Sequence, residues 1–216
     1  MCTLARRFVS GLLFCTFGVS IAFGQLPATR LGAIFPLGAN PGQTVEVTIL
    51  GSDLDDVDRL LFSHAGITAK QKMNEPGPFD KTPQAAVHQF VVSVAANVPI
   101  GTYEVRVVGK YGASNPRSFA VCDIPETVEV EPNDDRENAN ELTLPVVVNG
   151  QGNKTADVDY FCFTAAARQR ILVTSVARRA DSRIDSLVTV YDATGRTMGS
   201  SGADQGRDSL VDFTTP

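Results

Sequence analysis

The chain of 216 residues carries 19 Lys and Arg against 24 Asp and Glu, a net charge of −5, with no tryptophan and two histidines. That balance argues against a nucleic-acid partner, because polyanion binders concentrate Lys and Arg to displace counterions from phosphate. The histidines, His64 and His88, have no Cys/His spacing around them, which argues against zinc.

The chain opens like a secretory signal. Arg6 and Arg7 precede the apolar run FVSGLLFCTFGVSIAF, and Ala22-Phe23-Gly24 places small residues where a signal peptidase reads them, so residues 1–24 are expected to be removed. A membrane span needs ~20 apolar residues, and this run, with its glycines and serines, is short for one. No stable membrane anchor is then expected after cleavage, and the mature protein belongs in the periplasm or outside the cell. Phe14 before Cys15 argues against lipid attachment. Cys2 and Cys15 leave with the signal. Cys122 and Cys162 remain, either as a disulfide that an oxidising compartment permits or as idle thiols.

The remainder reads as all-β. In TVEVTIL (44–50), Val45, Val47 and Ile49 alternate with Thr44, Glu46 and Thr48. MNEPGPFDKTPQ (73–84) is a long, mobile Pro/Gly-bearing loop. VHQFVVSV (87–94) and TYEVRVVG (102–109) read as neighbouring strands around the turn NVPIG, and RSFAV (117–121) follows YGASNP. Pro125 and Pro132 then interrupt regular pairing, and acid density rises. Beyond them come LPVVVNG (144–150), DYFCFTA (159–165), QRILVTSVA (169–177), SLVTVYD (186–192) and DSLVDF (208–213), with a turn at DATG and one short helical turn at RENANEL (136–142). GSSG (199–202) reads as a flexible loop. This pattern predicts two β-sandwiches in tandem: residues 25–123, an acidic linker at 124–135, and residues 136–216.

VEVEPNDD concentrates oxygen ligands. Glu129, Glu131 and Asn133 lie two apart and share one face of an extended segment, and Asp134 joins them if Pro132 bends the chain. Asp157 and Asp159 repeat the spacing. Calcium takes six to eight oxygens at about 2.3–2.6 Å, so these six residues form a candidate calcium site. The alternative is a capping turn at Glu131–Asp134, with Asp159 as a structural acceptor.

Two resemblances follow from quoted residues. IFPLGANPGQTVEVTILGSDL (34–54), LLFS (60–63) and GTYEVRVVGKYGASNPRSFAV (101–121) resemble the immunoglobulin-like IPT/TIG family, over about residues 31–122. That likeness implies a non-catalytic spacer or adhesion module. EVEPNDDRENANEL, VNGQGNKTADVDYFCF, DSRIDSLVTVYDATGR and DSLVDFTTP are similar to the bacterial pre-peptidase C-terminal domain, a small jelly-roll-like sandwich of secreted proteins. Relatives of that domain hold calcium with acidic residues at the E-x-E-P-N-D position, which the resemblance carries onto Glu129, Glu131, Asn133 and Asp134. Members usually run on through a further D-G-x-Y strand. The resemblance therefore implies an incomplete second sandwich at the front of a longer secreted protein.

No catalytic constellation stands out. A serine hydrolase needs Ser, His and Asp together, neither histidine sits in a motif, and GSSG is not the G-x-S-x-G elbow. Asn153-Lys154-Thr155 fits the N-glycosylation pattern. Three functions remain open: a binding or positioning module with a calcium-stiffened junction, the appendage of a secreted peptidase or other hydrolase, or a binder of polysaccharide or matrix protein outside the cell.

Overall fold

A computed structural model describes residues 27–79, 81–152, 156–202 and 208–216. The signal-like segment, with Cys2 and Cys15, and the Asn153-Lys154-Thr155 pattern fall outside these residues.

The protein is all-β, as its alternation requires. The N-terminal half contains β1 (Arg30–Phe35), β2 (Gly38–Ala39), β3 (Thr44–Ser52), β4 (Val57–Phe62), β5 (Ile67–Asn74), β6 (Gln84–Val94), β7 (Gly101–Gly109), β8 (Gly112–Ala113) and β9 (Arg117–Val121). One sheet runs β1-β3-β6-β5 and the other β2-β9-β7-β4, with β8 on β7. In β3, Val47 and Ile49 are buried while Thr44, Glu46 and Thr48 stay exposed, so the period-2 pattern sets the inward face. Phe90 and Val92 of β6 share one core with Val105 and Val107 of β7 and Phe119 and Val121 of β9. Phe119 meets the Phe62 ring edge-on at 5.2 Å between centroids.

The strands expected to be neighbours, β6 and β7, lie in different sheets. The chain changes sheets between them. Alternation reports that each strand buries one face, and facing strands satisfy it as well as paired ones. The GASNP segment joins the sheets: Asn115 accepts from Leu31 N at 3.1 Å and donates to Leu31 O at 2.9 Å. Buried Ser114 accepts from Val107 N at 3.1 Å. Gly51 is required by close approach, because a Cβ there would lie 2.0 Å from the Arg30 carbonyl oxygen of the paired strand.

The C-terminal half contains β10 (Glu126–Val128), β11 (Asn140–Leu142), β12 (Val147–Asn149), β13 (Phe161–Phe163), β14 (Arg170–Thr174), β15 (Leu187–Tyr191), β16 (Thr197–Gly202) and β17 (Leu210–Thr214). The pairs β10–β12 and β11–β13 are parallel, and β14–β17 and β15–β16 are antiparallel. Ile171, Val190, Val211 and Phe213 form a second, smaller core. Residues 126–128, within the stretch read as a linker, are built into this half through β12. The expected helical turn is a 3-10 turn at Arg136–Asn138, with Asp135 accepting from Asn138 N at 3.0 Å.

GSSG is not a loop. It lies in β16, with Ser200 bonded to Thr189 of β15 at 2.9 Å between hydroxyls. Gly199 faces the core, where a Cβ would fall 2.6 Å from Val211 Cγ1. The small residues that suggested flexibility answer to a crowded packing face. Asp208 anchors a second 3-10 turn, Arg178–Ala180: its carboxylate, 3 % exposed, accepts from the backbone N–H groups of Ala177 (3.0 Å), Arg178 (2.6 Å) and Arg179 (3.2 Å), and from Arg179 Nε at 2.9 Å.

Cys122 and Cys162 are free thiols rather than a disulfide. Burial, together with a hydrogen bond to Glu126, pushes the Cys122 thiol above its ordinary range. Among the described residues, no helix is long and apolar enough to cross a membrane.

Candidate metal centre

Three attachments to the backbone of the acidic run hold it in place. Glu129 N donates to Asn149 O at 3.1 Å, at the end of β12. Asn140 grips both backbone groups of Val130, accepting from N at 2.7 Å and donating to O at 2.8 Å, as a paired strand would. Tyr160 N donates to Asn133 O at 2.8 Å. Residues 129–133 are thereby pinned against the segment leading into β13, which carries Asp157 and Asp159.

One carboxylate oxygen from each of Glu131, Asp157 and Asp159 lies within 4.8 Å of the other two. Two ligands of one calcium, each at about 2.3–2.6 Å, stand no more than about 5 Å apart, so a single ion fits this spacing. Asn133 is fully buried behind them. Oriented with its nitrogen inward, its amide donates to Glu131 Oε2 at 2.8 Å and to Asp159 Oδ1 at 3.3 Å. Turned over, it sets an oxygen against the same two carboxylates. Glu131 also serves its own turn, accepting from Asn133 N at 3.0 Å, so the alternative of a local capping turn is realised in part.

Glu129 stands beside this group. Its Oε1 accepts from Gln151 N, and its Oε2 is buried without a hydrogen-bond partner among the described residues. Burial is the largest influence on its carboxyl and raises its pKa. The Gln151 N–H opposes the rise, while the charges of Asp159, Glu131 and Asp157 add to it. Gly150 leaves it room, since a Cβ there would meet Glu129 Oε2 at 2.7 Å.

Of the six residues expected to ligate, the fold therefore gathers Glu131, Asp157 and Asp159, backs them with Asn133, and sets Glu129 beside them. Asp134 lies outside the group of three. The donors are all oxygens, which suits a hard cation such as calcium better than zinc. Every member belongs to the C-terminal half. Sequence spacing did not reveal Asn140 and Gly150, which hold the run and make room for it, because their roles depend on contacts across the fold.

The histidines sit elsewhere. His64 Nδ1 accepts from Gly66 N at 3.0 Å, and its ring meets Tyr103 edge-on at 5.3 Å. His88 occupies a positive-φ position within β6, φ 59°.

No family model matches the chain. No curated protein matches it. Among solved structures it is similar to SGBP-B of the Bacteroides ovatus mixed-linkage glucan utilization locus, determined in complex with a mixed-linkage heptasaccharide. The identity is 16%, the TM-score is 0.31, and the match covers 84% of this chain and 35% of that one. The chain thus spans about a third of the length of that protein.

Proposed function

We propose that this is a secreted, non-catalytic binding or positioning module whose C-terminal half is stabilised by a calcium ion. One observation carries the calcium reading: a fully buried amide, Asn133, contacts two of three carboxylates that converge within the span of one ion. A buried amide is costly unless its polar atoms are engaged. Asn133 can engage either way, donating nitrogen to the carboxylates without the ion and offering oxygen to the ion when it is bound.

The ion's role follows from what it would join. Glu131 and Asn133 belong to the entry segment of the C-terminal half, and Asp157 and Asp159 to the approach to β13. Their bridge clamps two segments on which the parallel pairs β10–β12 and β11–β13 are built. Among the described residues, this half has four buried apolar residues in its core, so an added clamp would matter more here than in the N-terminal half.

A thermal melt in calcium and then in EDTA, at matched ionic strength, tests the proposal. An ion that binds only the native state raises the midpoint by mass action, about 2.7 kcal/mol at a hundred times its dissociation constant. The shift should vanish in Glu131→Gln/Asp159→Asn and persist in Asp134→Ala. An unmoved midpoint in the wild type, or an equal shift in the double variant, overturns the calcium reading.

A further inference from the structure

We infer that the two halves are held at a fixed angle by two polar clasps, one on Leu37 beside β9 and one on β9 itself, independently of the carboxylate group. The first clasp lies near the C-terminal end of β9. Asn149, 8 % exposed, accepts from Leu37 N at 3.0 Å and donates to Glu126 Oε2 at 2.9 Å. Leu37 is itself tied to β9, since its carbonyl accepts from Ala120 N at 2.9 Å. The second clasp lies at the other end of the strand. Arg117 Nη1 donates to the Asp181 carbonyl at 2.9 Å, and Ser118 Oγ donates to the Asp181 carboxylate at 3.0 Å.

The geometry resists rotation. From Arg117 and Ser118 to Ala120 is three and two residues, roughly 7–10 Å along an extended strand. A single attachment leaves the halves free to swing about it, whereas two separated by that distance do not. The connecting chain adds a third restraint, because Asn40 Nδ2 donates to the carbonyls of Cys122 (2.6 Å) and Ile124 (2.7 Å).

Each partner is fixed before it makes contact. Asp181 sits at the left-handed end of the Arg178–Ala180 turn, φ 62°, a conformation that Asp tolerates better than most residues. Arg117 is held on its own side by Nε donating to Leu31 O at 3.1 Å. Asn149 has both amide atoms engaged. Side chains already immobilised lose little freedom on docking, so the contact is pre-organised. The clasps share no residue with Glu131, Asn133, Asp157 or Asp159, and the inference does not rest on calcium.

Residual dipolar couplings of backbone amides, measured on the full chain without calcium, test it. In the wild type, one alignment tensor should fit both halves. In Asn149→Ala/Arg117→Ala, with dispersed amide signals from both halves confirming that they are folded, two different tensors should be needed. Glu131→Gln/Asp159→Asn should keep the single tensor, which separates this inference from the calcium reading. Two tensors in the wild type, or one tensor retained in the folded Asn149→Ala/Arg117→Ala variant, overturns it. The wild-type measurement is decisive even if that variant fails to fold.

Discussion

Phe119→Ala should destabilise the N-terminal half by about 3–5 kcal/mol, the range for removing a buried aromatic ring from a packed core. Phe119 is fully buried, belongs to the larger core and meets Phe62 edge-on. The lost transfer energy and the cavity add together, and the aromatic contact contributes about 0.5–1.5 kcal/mol beyond buried area. β9 lies between β2 and β7 in its sheet and faces the other sheet across the core, so the surroundings cannot easily close over the gap. Chemical denaturation followed by a probe in this half should show a lower midpoint with an unchanged denaturant slope. A loss under about 1 kcal/mol would mean that the ring is not central to the core. Phe119→Leu, which keeps most of the volume, should lose much less.

That core was largely legible beforehand. TVEVTIL alternates over Thr44–Ile49, and Val47 and Ile49 of β3 point inward, as do Phe119 and Val121 of RSFAV in β9. What alternation could not supply is partnership. β6 and β7 each bury one face, and a sequence pattern does not distinguish a hydrogen-bonded neighbour from a strand across the core. The C-terminal half was harder to read for a different reason. In β16 the residues are Thr197, Met198, Gly199, Ser200, Ser201 and Gly202, whose composition signals a loop. Their place in the sheet comes from the Val211 contact and the Thr189 hydroxyl, both long-range.

The acidic run was legible as chemistry and incomplete as geometry. Two-residue spacing singled out Glu131 with Asn133 and Asp157 with Asp159, and the fold brings these side chains near one another. Asp134 joins such a group only if Pro132 turns it inward, and it lies outside the group of Glu131, Asp157 and Asp159. Position relative to the halves was also not readable. The run appeared to lie between two modules, yet Glu129 is bonded to Asn149 and Asn133 to Tyr160, both within the C-terminal half. Among the described residues, the contacts that join the halves include those of Asn149, Arg117, Ser118 and Asp181. These are single polar residues with no motif around them, and only the fold brings them together.

Asp208→Ala should cost the C-terminal half about 1–3 kcal/mol near neutral pH, because it removes one nearly buried carboxylate on which four donors of the Arg178–Ala180 turn depend. Three consecutive backbone N–H groups and the Arg179 guanidinium converge on it. Burial on its own raises the Asp208 carboxyl, but Arg179 and the backbone donors outweigh it and hold the carboxyl below its ordinary value. The sign of the pH dependence follows. A carboxyl with a depressed folded-state pKa contributes stability that is fully present above its unfolded value, about 3.9, and lost as pH falls through the folded one. The stability gap between wild type and variant should therefore be constant from pH 5 to 7, by about that linkage, and narrow below about pH 4. Asp192 and Asp212 are also held low, by Thr194 and Arg170 respectively, and Glu129 is raised. All three remain in both proteins, so their contributions cancel in the difference. Urea denaturation at a series of pH values measures it. A gap that stays level down to pH 3, or one below about 1 kcal/mol at pH 7, would show that the turn at Arg178–Ala180 does not depend on the Asp208 charge. Because Asp181 ends that turn and grips β9, the same substitution should also loosen the clasp on Arg117 and Ser118, linking the stability of the smaller half to its angle with the larger one.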